Sequence, residues 1–408
     1  MHTFFLIWIG QAFSLLGSQL VQFALVWWLT RTRGSATVLA SASLVALLPT
    51  IVIGPFAGAL VDRWDRRRTM LVADAGIAAA TALLALLYLL GDVRTWHVYV
   101  VLLIRAVGGA FHWPAMQAST TLLVPQEQLS RVGGLNQALG GLAGIALPPL
   151  GALALEALPM QAVLAIDVGT ALLAILPLCF VSIPRPAPAP AAVDAGLRST
   201  VAAVLSDMRD GFRFVWDWKG LLWFSLLSTL FNMLGGAAAA LRPLVVSEHF
   251  GGGALELGWL QSAAGIGTLL GGIVLGVWGG FRRRIHTALL ALILDGVAIA
   301  VFGLLPAHAF GAAIGTMFVA GVLEPISIGS MGAIAQAIVP PEMQGRVFSL
   351  LMAVGRATLP LALAVAGPVG DALGAQVWFL LAGIALTGVG LVALAIPAIV
   401  RIEEQAPG

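Results

Sequence analysis

Apolar stretches of about twenty residues or more follow one another along this chain, separated by short polar punctuation. They fall at 4–30, 37–61, 69–90, 96–123, 132–156, 160–182, 221–245, 255–279, 286–305, 309–338, 347–370 and 375–400. A helix needs about 20 apolar residues to cross about 30 Å of hydrocarbon. The pattern therefore predicts an all-α membrane protein with twelve transmembrane helices.

Composition supports this pattern. The 408 residues are 60% apolar and 10% charged, with a mean hydropathy of +0.99, against about 25% charged in soluble domains. A water-soluble core cannot absorb that much apolar surface. The opening residues, MHTFFLIWIGQAFSLLGSQL, lack a positive leader and a small-residue cleavage site and read as a retained first span. The net charge of +2 comes with no basic run long enough for a nucleic-acid surface. The single cysteine, Cys179, allows no internal disulfide and no thiol cluster. No cofactor and no metal are expected.

Orientation follows from the basic residues, because short cytoplasmic loops collect Lys and Arg. With both termini inside, fifteen of the 21 basic residues fall in the cytoplasm and only Arg31, Arg33 and Arg94 outside. Arg105, Arg242 and Arg356 remain in or near the membrane. The expected location is a bacterial inner membrane.

One long loop, 183–220, divides the chain. It opens with PRPAPAPAA, a stiff extended linker. It continues into a segment where Val204, Met208, Phe212 and Val215 recur at helical spacing among charges, as in an interfacial helix. An internal repeat flanks it. Val124-Pro125, Glu127 and Arg131-Val132 reappear as Val339-Pro340, Glu342 and Arg346-Val347. Each pair is separated by 215 (339−124, 342−127, 346−131). The reading is two six-helix halves, 1–182 and 221–408, joined by the cytoplasmic linker 183–220.

The loop after the second span reads GALVDRWDRRR, from Gly58 to Arg68. It resembles the signature loop of the major facilitator superfamily, G-x-L-x-D-R-x-x-R-R. That resemblance implies two parallel six-helix halves with substrate near the midplane between them. It also implies a cytoplasmic gate built from Gly58, Asp62, Arg63, Arg66 and Arg67. The second copy, GVWGGFRRR, lacks the aspartate. Span 4 carries RAVGGAF, from Arg105 to Phe111, similar to the R-x-x-x-G motif of proton-coupled drug exporters. Span 5 carries GLAGIALPPLG, a looser likeness to the antiporter motif. GSQLVQFALVWWLT, VPQEQLSRVGGLNQ and VPPEMQGRVFSL resemble the macrolide-efflux branch of the drug:proton antiporters.

Ionisable residues inside a membrane are functional candidates. Six other than histidine lie well within spans: Asp74, Arg105, Asp167, Asp295, Glu324 and Arg356. Arg105 sits about nine residues into its span, about 13 Å deep. Subtracting 215 from Glu324 gives 109, one turn after Arg105 in the equivalent helix. In the family fold spans 1, 4, 7 and 10 line the cavity, so Glu324 and Arg105 are the leading proton-coupling candidates, with Asp74 in reserve. A static ion pair of Glu324 with Arg105 or Arg356 is the alternative. Asp74, near the Arg66–Arg68 cluster, is close enough to pair with that loop. Asp167 and Asp295 belong to supporting spans.

Gln11, Ser14, Ser18 and Gln22 fall at steps of three, four and four, on one face of span 1. That stripe serves either substrate contact or interhelical hydrogen bonding. His112, Trp113 and Arg356 are further substrate-contact candidates, with packing and charge neutralisation as the other readings.

The sequence carries no metal-ligand cluster, no phosphate-cradling loop and no nucleophile elbow, so an enzyme is not expected. The expected partners are a small-molecule substrate, protons and the bilayer, with no nucleic acid, and the chain is read as a monomer. Proton-coupled export of amphiphilic molecules is the function the resemblance implies. Uptake, or translocation of a lipid or siderophore on the same fold, is the competing class.

Overall fold

The computed structural model of the chain describes residues 2–61, 64–181, 183, 206 and 209–404. Among them, twelve helices are long and apolar enough to cross a membrane. They are α1 (His2–Arg33), α2 (Ala36–Val61), α3 (Arg66–Leu90), α4 (Thr95–Leu123), α5 (Leu129–Ala157) and α6 (Met160–Phe180). The second set is α7 (Lys219–Leu244), α8 (Ala254–Trp278), α9 (Arg284–Leu304), α10 (Phe310–Ile338), α11 (Pro341–Leu373) and α12 (Ala375–Ala395). The chain is a multi-pass membrane protein. Its outward surface carries apolar side chains such as Val72, Phe180 and Val277, all more than 70% exposed. That is the surface of a protein solvated by lipid tails rather than water.

Helix ends carry local signals. Asp65 caps α3, its Oδ1 accepting from the Arg68 backbone N–H at 3.0 Å. At the other end Gly91, at φ 74°, folds its N–H back on Leu87 and Tyr88, a left-handed stop that only glycine enters without strain. Two boundaries depart from hydropathy for a physical reason. α11 begins at Pro341 rather than 347, because Pro at the first helical position starts a polar turn that is helical without being apolar. α12 stops at Ala395 rather than 400, because Pro397 holds Ile396 in an extended conformation.

Within the linker, residues 209–217 form a helix, whereas Val204 and Met208 lie outside the described residues. Val215 is buried. Phe212 is exposed and stacks on Trp216 at 5.6 Å. Asp210 reaches Arg346 at 3.4 Å.

Packing divides the chain into two compact units, Met1–Arg185 with Arg242–Ser262, and Pro186–Leu241 with Ala263–Gly408. The end of α7 and the start of α8 thus belong to the first unit, where Ser262 donates to the Ile145 carbonyl at 2.5 Å. In the first unit α3 packs on α4 and α6, α2 on α4, and α1 on α5 and α6. In the second, α9 packs on α10 and α12 in the same way. Apolar burial does not drive helices together in lipid, so close approach does. A Cβ on Gly267 or Gly271 of α8 would lie 2.3 Å from the Phe318 carbonyl oxygen or 2.1 Å from that of Val322 on α10.

Candidate functional site

The polar residues of the first unit converge where α1, α3, α4 and α6 meet, in two clusters on one face of α1. In the first cluster, Gln11 donates to Asp74 Oδ2 at 2.9 Å, and His112 Nε2 lies 3.3 Å from Asp74 Oδ1. Both Gln11 and Asp74 are buried. α3 and α4 approach closely here: a Cβ on Gly108, one turn before His112, would lie 2.8 Å from Ile77 Cδ1. Below the cluster, Ile7, Met70, Ala115 and Leu178 form a fully buried apolar floor, with Phe111 packed against it.

The second cluster is two turns further along α1, about 10 Å away at 1.5 Å per residue. Arg105 pairs with Asp167 Oδ2 at 2.5 Å, with side chains only 9% and 1% exposed. The same guanidinium donates to Thr81 Oγ1 at 3.1 Å and to the Ser18 carbonyl at 3.0 Å. Asp167 also accepts from Ser18 Oγ at 3.0 Å and Thr81 Oγ1 at 3.2 Å. Every polar group of this knot therefore has a partner, which a charge in hydrocarbon requires. Gly17 makes the knot close: a Cβ there would lie 2.1 Å from Thr170 Oγ1 and 3.3 Å from Asp167 Cα.

Two of the four stripe residues of α1 are thus bonded to carboxylates, while Ser14 and Gln22 are half-buried. Trp113 stands 60% exposed on α4. Asp74 faces α1 and α4 rather than the arginine-rich loop.

Of the gating residues, Asp62 and Arg63 lie outside the described residues. A Cβ on Gly58 would meet nothing within 4 Å among the described residues. Arg66 donates to the Ala118 carbonyl at 2.9 Å, and Arg67 to the carbonyls of Leu178 and Cys179. These oxygens lie toward the C-terminal ends of α4 and α6, where the helix dipole favours a cation. The two arginines tie α3 to both helices.

In the second unit Glu324 is exposed on α10 and acts electrostatically on Asp295 of α9, which is buried. Arg356 is exposed on α11. The sequence offset of 215 pairs positions of the two halves. Arg105, Asp167, Thr81 and Asp74 correspond to Ala320, Ala382, Gly296 and Leu289 (105+215, 167+215, 81+215, 74+215). The polar knot of the first unit is apolar in the second.

Sequence reasoning missed that Asp167 and Thr81 complete the site of Arg105. A signal was available: Asp167 is an intramembrane carboxylate in the same half, in a helix with no other charge.

Twelve long apolar helices in two compact units, with charged side chains buried among them, are the architecture of a multi-pass membrane protein. The chain matches the family model of the Major Facilitator Superfamily over residues 7–357 and 225–407, and it belongs to that superfamily. Among curated proteins, it is 34% identical to Macrolide efflux protein A of Streptococcus pyogenes over 389 residues, 95% of this chain and 94% of that protein. It is 27% identical to the Multidrug efflux pump Tap of Mycolicibacterium fortuitum over 402 residues, 95% and 93% of the two chains. Solved structures with the same fold include a bacterial homologue of the human lysosomal transporter Spinster in an inward-facing, unoccupied conformation. That match has a TM-score of 0.68 and 13% identity, and covers 99% and 97% of the two chains. A D-xylose-proton symporter matches with a TM-score of 0.66 at 12% identity, covering 95% and 94%.

Proposed function

We propose that this protein exports amphiphilic small molecules, macrolides or other drugs, in exchange for protons by alternating access. The similarity to Macrolide efflux protein A along nearly the whole chain carries this reading. The carboxylates of Asp74 and Asp167 support the proton, because ionisable groups buried among membrane helices are costly and commonly mark proton or ion pathways. Asp74, Arg105 and Glu324 carry the coupling in this reading, and Gly58, Asp62, Arg63, Arg66 and Arg67 the gate. Gln11, Ser18 and His112 are engaged with Asp74 and Asp167 inside the first unit. Substrate contact therefore falls to Ser14, Gln22, Trp113 and Arg356. The protein works as a monomer in a bacterial inner membrane, with both termini and the linker 183–220 in the cytoplasm, as the arginine distribution favours.

Inverted membrane vesicles with an imposed proton gradient test this. Labelled erythromycin should accumulate when the lumen is acid and leave when the gradient is collapsed. Accumulation that ignores the gradient refutes proton exchange. Accumulation of no macrolide or other amphiphile at all refutes export.

A further inference from the structure

A buried carboxylate in a membrane persists only if it is protonated or has a cation beside it. The two carboxylates gripped by α1 meet that condition differently. Asp167 faces Arg105, whose guanidinium stays charged at any physiological pH. Asp167 thus has a permanent cation as its partner. Asp74 has His112 instead, with Nε2 3.3 Å from Oδ1, and no arginine or lysine within ion-pair reach among the described residues. Imidazole is the side chain whose charge changes near neutral pH.

We propose that Asp74 and His112 form a single proton-carrying pair, with Gln11 transmitting its charge state to α1. This deepens the proton-exchange reading above and rests on it. With one proton shared, the pair is neutral overall; without it, Asp74 is an anion beside a neutral imidazole. The proton comes from water and returns to water, and nothing else is consumed.

The geometry supports this division of labour. The His112 side chain is 20% exposed and that of Asp74 only 7%, so in this proposal the proton reaches Asp74 by way of His112. His112 Nε2 is buried, and its approach to Asp74 is off the hydrogen-bond line; a small ring rotation makes or breaks the bond. Gln11 holds the other carboxylate oxygen, and Ser18, seven residues on along the same helix, holds Asp167. A change of charge at Asp74 therefore pulls on a helix already anchored at a fixed ion pair.

The packed helices bring few competing charges. α2 has no ionisable residue, and α6 has Asp167 and, at its far end, the thiol of Cys179. α1 has His2, Arg31 and Arg33 at its ends. On α4 the other groups are His97 and Tyr99 in the first turns and Arg105, which is held by Asp167. α3 has Arg66, Arg67 and Arg68 in its first turn and Tyr88 near its last.

The test compares gradient-driven erythromycin accumulation with gradient-independent counterflow in the same vesicles. His112→Gln should lower the first relative to the second at least tenfold and flatten its pH profile. Asp74→Asn should give the same selective loss, and Asp74→Glu, which restores a carboxylate, should recover gradient-driven accumulation. If His112→Gln loses both activities in proportion, His112 belongs to the substrate wall and the proposal is overturned. An unchanged ratio overturns it as well, while proton exchange by another group stands. A wild type that ignores the gradient removes the underlying reading and the proposal with it. A second measurement does not depend on transport: erythromycin added to the solubilised wild type in weak buffer should release a proton per bound ligand, and Asp74→Asn should release none. Undiminished release from Asp74→Asn overturns the proposal.

Discussion

Replacing Arg105 by leucine would remove the fixed cation beside Asp167 and leave a carboxylate that is 1% exposed. Three donated hydrogen bonds disappear with it, to Asp167, Thr81 and the Ser18 carbonyl. Removing one partner of a buried pair costs about 3–5 kcal/mol, a large part of the stability of most domains. Arg105→Lys keeps the charge, but an ammonium cannot offer the planar fork that serves acceptors on α1, α3 and α6 together. Losing one or two bonds should then cost about 1–3 kcal/mol. The double variant Arg105→Leu/Asp167→Leu removes both charges and should return to within about 1 kcal/mol of wild type, since well-packed apolar residues replace buried pairs at little cost. The assay is reversible unfolding in mixed micelles, followed by the fluorescence of the 12 tryptophans. With about 3–5 kcal/mol lost when either partner is removed alone and about 1 kcal/mol when both are, the expected coupling energy between the two sites is about 5–9 kcal/mol. Additivity within about 0.5 kcal/mol, the behaviour of independent sites, would refute the argument that this pair is one electrostatic unit.

Two further outcomes follow from helix contacts. Gly271→Ala places a Cβ 2.1 Å from the Val322 carbonyl oxygen, and backbone cannot yield cheaply; it should destabilise by about 1–3 kcal/mol. Gly272→Ala, with open space around it, should melt like wild type, so equal losses in the two variants would count against glycine-mediated packing of α8 on α10. Arg67→Gln removes the donors on the Leu178 and Cys179 carbonyls, at about 1–3 kcal/mol. Thiol labelling of Cys179, the only cysteine, should quicken as the end of α6 frays; an unchanged rate would mean that Arg67 does not hold that end.

The buried charges divide into those readable from sequence and those not. That Asp74, Arg105 and Asp167 lie inside the membrane follows from counting residues along apolar stretches. That Arg105 belongs to Asp167, and Asp74 to His112 and Gln11, does not. Those partners are 62, 38 and 63 residues apart in the chain (167−105, 112−74, 74−11). Their meeting depends on the rotation of α3, α4 and α6 about their axes and on the close crossings allowed at Gly17 and Gly108. The polar stripe of α1 was legible as a face, but both substrate contact and helix bonding suit such a face. Only the positions of Asp74 and Asp167 show that Gln11 and Ser18 bond across to neighbouring helices.

The sequence by itself determined the number of spans, because lipid solvation requires a local run of apolar residues and a helix satisfies its backbone within that run. It determined the duplication too, since matched anchors at one spacing need no third dimension. Tertiary structure decided which charge neutralises which. A buried ion pair is a relation between helices distant in sequence, and its energy depends on distances of a few ångströms that hydropathy does not encode. The same logic separates the halves: the offset of 215 marks equivalent positions, while the packing makes a knot at Arg105 and Asp167 and leaves Ala320 and Ala382 in its place.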